Sequence, residues 1–571
     1  MIRRLALVGG GALAAAAGLF APRDAIVAAL ASDAAGPHLE QLRLGVSIAK
    51  ALLALHGAWL FAAGARRVVP RVDPVPLWEP PPGAEPGSLG ARQACLLAAL
   101  LALAALLRWT GIHQDLWHDE VFTLLDYARP PLARTLSLYT DDNQHLLYSA
   151  LAHASLSAFG ESAATLRLPA FGFGLASLWA TLRLGRLVAG PREAWLAAAL
   201  LAVSYHHVWF SQNARGYTGL LFATLLSTDL LLRALWRAGW SQWVGYAAAV
   251  ALGMTLHLSM AFVAAAHGLV LVALLARAGS LSAGRWRGLA ALVLAATLSG
   301  QAYALVIPQL VAFYLQPAAG ATAAAVAWKS PLWLLDELVR RLGVGLALGG
   351  LGLVGAGLVF GRGACSYAAR SPAVAACFAL PALLGGAALV LLQRNLWPRF
   401  FFHEVGFAAL FAVRGACLAG EWLGARIGRP GPRTGAAVAG ALALASALTL
   451  PRVYRHPKQD FRGALAWVRE QQTPGDRIVG VGMAGEAYHF YYAPEMPLAL
   501  TLEDLESELA PRGRTWILYT LGSYIEATDP ALWAALQTRF EEVRAFPGTL
   551  GDGAIRVRRS LEAAAAPEPP R

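Results

Sequence analysis

Long apolar runs recur along the chain from its start to about residue 450. A membrane-spanning helix needs about 20 mainly apolar residues, because the hydrocarbon core of a bilayer is about 30 Å thick and an α-helix rises about 1.5 Å per residue. The runs therefore predict an all-α polytopic membrane protein of about thirteen spans. The predicted spans are 4–22, 44–64, 93–110, 168–189, 194–211, 217–235, 243–257, 259–277, 288–307, 342–361, 372–392, 401–422 and 435–450.

The first apolar run follows a basic start, MIRRLALVGG, and has the character of a signal peptide. We expect it to remain as an uncleaved first span. Paired with the second span, it predicts a two-helix membrane appendage at 1–64. A Pro-rich segment at 65–91, VPRVDPVPLWEPPPGAEPG at its centre, predicts a cytoplasmic linker to the main body.

The main body, residues 92–450, is expected to hold about eleven core helices. Its long apolar helices are rich in Gly and Ala, as in LGVGLALGGLGLVGAGLVFG at 342–361, which predicts close helix packing. Between two spans, 308–341 contains an amphipathic stretch, SPLWLLDELVRRL, that is expected to lie along the membrane interface.

From residue 451 the pattern changes to short amphipathic segments of alternating type. DFRGALAWVREQQ predicts a helix with Asp460 as its N-cap, and PALWAALQTRFEEV predicts a second helix. RIVGVG, TWILYTL and AIRVRR predict strands. Residues 451–571 are therefore expected to form a small extracytoplasmic α/β domain with a disordered tail.

The distribution of charge along the chain predicts which side of the membrane each loop faces. The chain is 57% apolar and 14% charged with a net charge of +12, but its arginines lie in short loops between apolar runs. That distribution orients a membrane protein and does not indicate a nucleic-acid partner. The loop at 111–166 is instead acidic. The bias places this loop and the C-terminal domain outside the bacterial cytoplasmic membrane.

Ionisable and polar side chains gather on that outer side, in LWHDE (116–120), TDDNQHLLYS (140–149), WFSQNARGY (209–217) and QRNLWPRFFFHE (393–404). Such residues are costly near a membrane, so their concentration is a hypothesis of function. The segments and one further span end supply the expected substrate-binding side chains: Asp142, Asn143, His145, Gln212, Tyr217, His257, His403 and Glu404.

Asp119 and Glu120 are the candidate catalytic pair. A carboxylate there can deprotonate a hydroxyl or bind a divalent metal ion through oxygen, whereas the plainer alternative is an acidic loop exposed to water. Arg215 and Arg399 are candidates for holding a phosphate, since a guanidinium grips phosphate in bidentate fashion. Their alternative is interfacial placement or a salt bridge to the acidic loop.

The order of these motifs resembles the GT-C superfamily of integral-membrane glycosyltransferases. The motifs are W-x-DE, DNQHLLYS, GESAATLRLPA, WFSQNARGY, TLHLSMAF and PRFFFHEVGFAAL, over about residues 93–420. The arrangement is most similar to the branch of bacterial relatives of protein O-mannosyltransferases and lipid A aminoarabinose transferases. The chain departs from that branch at two places: Leu146 and Leu147 stand where the branch has a Pro pair, and Asn213 and Gly216 replace its Glu and Met.

The resemblance implies a polyprenyl-phosphate-linked sugar donor and an acceptor hydroxyl on a lipid, glycan or protein. It makes Asp119 the catalytic base, with Glu120 supporting it or a bound divalent metal ion, and it places Arg215 and Arg399 near the donor phosphate. We expect a hexosyl- or pentosyltransferase acting by one inverting displacement. The alternatives are a transporter or flippase of a lipid-linked precursor, and a non-catalytic envelope scaffold.

Overall fold

The computed structural model describes residues 2–31, 37–65, 76–237, 239–278, 286–315, 329–330, 346–510 and 513–561. The amphipathic stretch and the C-terminal tail singled out above lie almost wholly outside these residues, as does the first part of the predicted linker.

The membrane part is built from helices. Before the first loop these are α1 (Ile2–Phe20), α2 (Arg23–Leu30), α3 (Pro37–Ala65) and α4 (Ala91–Trp109). The loop itself carries α5 (His118–Phe122), a π-helix (Thr123–Ala128), α6 (Leu132–Ser137) and α7 (Leu146–Phe159). Then follow α8 (Ala163–Val188), α9 (Pro191–Ala202), α10 (Tyr205–Ser211), α11 (Tyr217–Arg237), α12 (Trp240–Leu256), α13 (Met260–Arg277), α14 (Trp286–Tyr303) and α15 (Ile307–Leu315). The last group is α16 (Leu346–Arg370), α17 (Pro372–Leu391), a 3-10 helix (Pro398–Glu404), α18 (Val405–Arg426), α19 (Gly431–Ala447) and α20 (Pro451–Arg455).

Seven helices of the described part are long and apolar enough to cross a membrane, or nine if each of two sharply bent pairs forms one span. The predicted polytopic helical architecture is confirmed. The larger count of spans expected from the sequence includes helices such as α8, which has 26 residues but carries Arg167, Arg183 and Arg186.

One predicted span is wrong in detail. The run at 194–211 is not one helix, because α9 ends at Ala202 and α10 starts at Tyr205. Ser204 caps α10 by accepting a hydrogen bond from the backbone of His207. A serine hydroxyl offers the backbone an alternative to the helical ladder, and an apolar run does not reveal that competition. After this break the chain continues through α10 into residues 209–217, which form part of the candidate active site described below.

Close helix contacts occur where glycines face backbone. A Cβ on Gly363 of α16 would lie 1.9 Å from the carbonyl oxygen of Phe411 in α18. One on Gly415 would lie 1.8 Å from that of Val359. By contrast, Gly355, Gly357 and Gly361 have nothing within 4 Å of an added Cβ, so in the described part of 342–361 the close approach is made by the backbone of Val359 and not by these glycines.

The described half of the Pro-rich segment is packed against the membrane helices. Trp78 is buried, and its indole nitrogen donates to Ser371 at 2.9 Å. The backbone of Leu77 donates to Leu235 at 2.9 Å. Residues 76–90 therefore form part of the helix bundle's surface.

The C-terminal domain is a five-stranded sheet covered by helices, as predicted. Its elements are α21 (Phe461–Gln471), β1 (Arg477–Val481), α22 (Gly482–Ala487), a π-helix (Tyr488–Tyr492), β2 (Leu498–Ala499), α23 (Leu502–Ser507), β3 (Thr515–Tyr519), α24 (Gly522–Thr528), α25 (Pro530–Arg539), β4 (Phe540–Phe546) and β5 (Ile555–Ser560). The strand order is β2-β1-β3-β5-β4, parallel at β2-β1-β3 and antiparallel at β3-β5-β4.

Local signals in this domain were informative. Asp460 accepts a hydrogen bond from the backbone of Gly463 at 2.9 Å, so the predicted N-cap is confirmed. The helix predicted over PALWAALQTRFEEV ends at Arg539, however, and FEEV belongs to β4. Pairing with β5 fixes these residues as strand, and that long-range partner is invisible to helical periodicity.

Candidate active site

Asp119 lies in the first turn of α5, a five-residue helix within the first loop. The carboxylate of Asp119 contacts three cationic groups. Its Oδ2 is 2.5 Å from Arg215 Nη1 and 3.6 Å from Arg399 Nη1, and its Oδ1 is 3.4 Å from His118 Nδ1. The fold thus brings together the expected base and both expected phosphate-binding arginines, from segments up to 280 residues apart along the chain.

These contacts set the charge of Asp119. Burial alone would raise the pKa of its carboxyl, but Arg215, the hydrogen bond from His118 and Arg399 together hold that pKa well below its usual range. The carboxylate is therefore ionised at neutral pH.

Arg215 joins Asp119 to a buried aromatic cluster. Its Nε donates to His145 Nε2 at 3.0 Å, and the His145 ring stacks on His257 at 4.9 Å between centroids. Tyr217 lies 5.0 Å from His257 and has a buried hydroxyl without a partner in the described structure. Burial, Arg215 and His257 lower the pKa of His145 well below its ordinary value, so the ring is a neutral acceptor that orients the guanidinium.

Arg399 is the more accessible cation of the pair. Its side chain is 35% exposed, against 6% for Arg215. The guanidinium lies 5.6 Å from the Trp397 ring and 5.8 Å from the Phe400 ring, while its Nε has no hydrogen-bond partner among the described residues. A half-exposed guanidinium with donors to spare is suited to an incoming anion.

Glu120 has a different environment from Asp119. Its carboxylate binds Arg167 in bidentate fashion at 2.8 and 2.5 Å, and it accepts from the backbone of Ala214 at 2.7 Å. Lys458 is 3.7 Å away, and the carboxylate has no exposure to solvent. Burial opposes ionisation, but Arg167 and Lys458 lower the pKa of Glu120. The structure therefore separates the predicted pair, with Glu120 anchoring α5 to α8 and to the C-terminal domain.

The remaining predicted site residues differ in whether they contact Asp119. Asn143 donates to the backbone oxygen of Asp119 at 3.1 Å, and its own Oδ1 is buried without a partner in the described structure. Gln212 is buried and bonded to the backbone of Arg108 at 2.8 Å. Asp142 is exposed. His403 and Glu404 lie 3.2 Å from each other, on the 3-10 helix that carries Arg399.

The C-terminal domain contributes residues that the sequence did not indicate. Glu486 Oε2 lies 3.0 Å from His118 Nε2, and Gln459 Oε1 accepts from the backbone of His118 at 2.9 Å. Burial would lower the pKa of His118, but hydrogen bonds to Asp119 and Glu486 raise it to about 9. His118 is thus a cation between a carboxylate of each domain. The only sequence signal for these contacts was a polar residue before a predicted helix, namely Gln459.

A second contact between the domains surrounds Lys458. Its Nζ donates to the backbone oxygen of Gln212 at 2.5 Å, and the side chain is almost wholly buried. Burial and the nearby Arg167 lower the pKa of Lys458 to about 7, against the opposing effect of Glu120. Tyr492 adds a hydrogen bond to the backbone of Leu116 at 2.7 Å. The C-terminal domain therefore holds the N-terminal end of α5 and also contacts the carboxylate of Glu120.

The described residues do not fit a resident divalent metal ion at Asp119. No three His, Cys, Asp or Glu side chains in the described ranges form a group able to hold one. Asp119 faces arginines, Glu120 is engaged by Arg167, and Asp141 accepts from the backbone of Asn143 at 2.7 Å. The positive charge beside Asp119 comes from arginine side chains, whereas a metal ion at this position would need further carboxylate ligands.

No family model and no curated protein matches the chain. Among solved structures, it is similar to apo ArnT from Cupriavidus metallidurans, with 13% identity, a TM-score of 0.48, and coverage of 84% of this chain and 100% of that chain. It is also similar to the oligosaccharyltransferase AglB from Archaeoglobus fulgidus, with 11% identity, a TM-score of 0.47, and coverage of 81% and 74%. For the arabinosyltransferase EmbB from Mycobacterium smegmatis the identity is 15%, the TM-score 0.38, and the coverage 72% and 41%. Because every TM-score is below 0.5, the function proposed below rests on the geometry of the site.

Proposed function

We propose that this chain is a glycosyltransferase that moves a sugar from a polyprenyl-phosphate carrier to an acceptor hydroxyl at the outer face of the bacterial cytoplasmic membrane. The observation that carries the proposal is the ionised Asp119 carboxylate held between Arg215 and Arg399. A transferase of this kind needs a base for the acceptor and cations for the phosphate that leaves, and both lie here within 4 Å of each other.

In the proposed reaction, binding of the donor raises the basicity of the Asp119 carboxylate. In the structure Arg215 and Arg399 are neutralised in part by Asp119, which makes that carboxylate a weak base. A phosphate brought to the free donors of Arg399 draws the guanidinium charge toward itself. The pKa of Asp119 then rises because its stabilising charges are shared, so the carboxylate gains basicity when the donor is in place.

The transfer step follows from this arrangement. Asp119 accepts the proton of the acceptor hydroxyl as its oxygen forms a bond to the anomeric carbon. The bond from that carbon to the phosphate oxygen breaks, and its electron pair stays on the phosphate. The leaving polyprenyl phosphate gains one negative charge, which Arg399 and Arg215 stabilise. A single displacement inverts the anomeric configuration.

Other residues act in this scheme by positioning. Glu120 fixes α5 through Arg167, Asn143 holds the backbone of Asp119, and His145 orients Arg215. The unpartnered polar atoms of Asn143 and Tyr217 are available to sugar hydroxyls. His257 stacks on His145, and His403 and Glu404 belong to the 3-10 helix that carries Arg399. We propose these residues, with Gln212 and Asp142, as further substrate contacts. The proposal extends to a hexose or pentose donor and to a lipid, glycan or protein acceptor.

The test is transfer of labelled sugar from a panel of polyprenyl-phosphate sugars by the purified full-length protein. Asp119→Asn is expected to lower turnover by about 10²–10⁴-fold, the usual contribution of a general base, and to leave donor binding measurable. Asp126→Asn, a loop aspartate outside the site, is the matched control and keeps wild-type turnover. Undiminished transfer by folded Asp119→Asn contradicts the assigned base, and absence of both transfer and donor binding across the panel contradicts the enzyme class.

A further inference from the structure

A polar cavity of about 140 Å³ lies far from Asp119. It is lined by Glu85, Pro86, Gly87, Ser88, Leu89, Trp179, Leu182, Arg183, Arg186 and Arg233. The volume is well below the roughly 300 Å³ of a small drug-like site, so the cavity suits a group of a few atoms.

The cavity lies toward the opposite ends of α8 and α11 from the candidate active site. On α8, Arg167 contacts the site and Arg186 lines the cavity, and Arg186 follows Arg167 by 19 residues, or about 28 Å of helix. On α11, Arg233 follows Tyr217 of the candidate site by 16 residues, or about 24 Å. Both lengths approach the thickness of a bilayer core of about 30 Å.

The charges around this cavity do not balance. Asp229, which is buried, accepts from Arg183 Nε at 2.7 Å and from Arg233 Nε at 2.8 and 2.9 Å. The third cation, Arg186, has only a 3.8 Å contact to Glu85, whose side chain is 55% exposed. The buried carboxylate of Asp229 therefore serves two of the three guanidinium groups, and Arg186 has only the distant, exposed Glu85.

Hydrogen-bond donors also remain unused. Arg186 is 6% exposed and its Nε has no partner in the described structure, although its Nη1 donates to the backbone of Gly87 at 3.0 Å. A buried guanidinium donor without an acceptor is unfavourable unless a ligand supplies one. Placement of arginines at helix C-termini and at a membrane face explains their charge, but it does not explain this buried Nε.

We propose that the cavity binds a phosphate group, with Arg186, Arg183 and Arg233 donating to its oxygens. Three guanidinium groups around a small cavity match the planar, bidentate recognition of phosphate. The phosphate belongs either to a phospholipid headgroup of the adjacent leaflet or to a soluble phosphate. Trp179, Leu182 and Leu89 in the lining give one wall an apolar character that fits the glycerol end of a lipid.

The cavity also ties the Pro-rich segment to the membrane helices. The backbone N–H of Glu85 donates to the carbonyl oxygen of Arg186 at 2.9 Å, and the Arg233 side chain donates to the carbonyl of Pro86 at 3.0 Å. A bound phosphate therefore stabilises the packing of residues 85–89 against α8 and α11, and its effect is readable as thermal stability.

The experiment measures the unfolding temperature of the purified full-length protein during titration with a short-chain phosphatidylglycerol and, separately, with inorganic phosphate. We expect saturable stabilisation by at least one probe, and its half-saturating concentration is expected to rise about 10-fold in Arg186→Gln. Arg183→Gln, whose side chain is 34% exposed, repeats the test at a position with less risk to folding. Saturation by the lipid alone assigns a headgroup, and saturation by phosphate at similar concentration assigns a soluble ligand.

Arg237→Gln is the matched control, because Arg237 is an exposed arginine one turn further along α11. It is expected to leave both titrations unchanged. Absence of saturation with either probe overturns the proposal. Equal loss in Arg237→Gln, or unchanged titrations in both cavity variants, also overturns it, since the response then comes from general charge or from another site. No sugar transfer is measured, so the outcome is independent of the proposed activity.

Discussion

Asp119 and Glu120 are adjacent carboxylates with opposite surroundings, because neighbouring residues of a helix point about 100° apart. One faces the two arginines of the polar site, and the other enters the protein and meets Arg167. The sequence identified both residues as chemically important. It did not divide their roles, since helix orientation depends on contacts with Arg167, Lys458 and the backbone of Ala214.

The buried Arg167–Glu120 pair predicts a large effect of removing one partner. Arg167→Met removes the bidentate partner of a fully buried carboxylate and leaves it only the 3.7 Å contact of Lys458 and backbone donors such as that of Ala214, so we expect the free energy of unfolding to fall by about 3–5 kcal/mol. Thermal or denaturant unfolding of the purified protein measures this loss. Arg167→Met combined with Glu120→Gln is expected to recover part of it. Equal stability of the single variant and wild type would show that Glu120 finds another partner.

His118 predicts a pH dependence of stability. Its pKa is raised from 6.5 to about 9 in the folded protein, so it binds its proton more tightly when folded. Its stabilising contribution is full below pH 6.5 and is lost as the pH rises through 9. The unfolding temperature of wild type should therefore exceed that of His118→Gln most at low pH, with the gap closing by about pH 10. A gap that is constant across this range contradicts the prediction, and His113→Gln, an exposed loop histidine, provides the control.

At the scale of elements, apolar periodicity predicted helices well but their contacts poorly. Most of the helices after the first loop lie where long apolar runs occur, since length and hydropathy are local properties. The break at Ser204 and the switch from α25 to β4 at Phe540 depend on competing hydrogen bonds and on a strand partner. The Gly-rich run at 342–361 predicted an interface, and the close approaches are those of Val359 to Gly415 and of Gly363, just beyond the run, to Phe411.

The α16–α18 contact gives a prediction at this scale. Gly415→Val places a side chain against the backbone of Val359, and we expect loss of folded protein or destabilisation by about 1–3 kcal/mol or more. The yield of monodisperse protein and its unfolding temperature measure this. Gly361→Ala on α16 is the matched control, because an added Cβ meets nothing within 4 Å there. Equal behaviour of the two variants would mean that the helices separate at little cost.

At the scale of the whole molecule, the C-terminal domain is part of the candidate active site. Glu486, Gln459 and Tyr492 hold α5 from outside the membrane bundle. The sequence predicted both the domain and the acidic loop, but it carried no signal for their contact, because residues more than 340 positions apart meet only in the folded chain.

This contact predicts that a residue far from the reacting atoms controls turnover. Glu486→Gln removes one charge beside His118, which weakens the hold on Asp119, and we expect turnover to fall about 10-fold with donor binding kept. The pH profile of transfer should shift as well, since the pKa of His118 falls toward its ordinary value. Glu526→Gln, an exposed carboxylate of the same domain, is the control. Unchanged turnover and an unchanged pH profile in Glu486→Gln would limit the contact to stability.

The link between Gln459 and the backbone of His118 also has a consequence for biogenesis, because 341 positions separate the two residues. At a synthesis rate of about 5–20 residues per second, roughly 20–70 s pass between emergence of the acidic loop and emergence of the residue that fixes it. Helices of the bundle can enter the membrane during that interval, yet α5 lacks its last supports until the C-terminal domain has been synthesised and folded. The candidate active site is therefore complete only when synthesis of the chain is nearly finished.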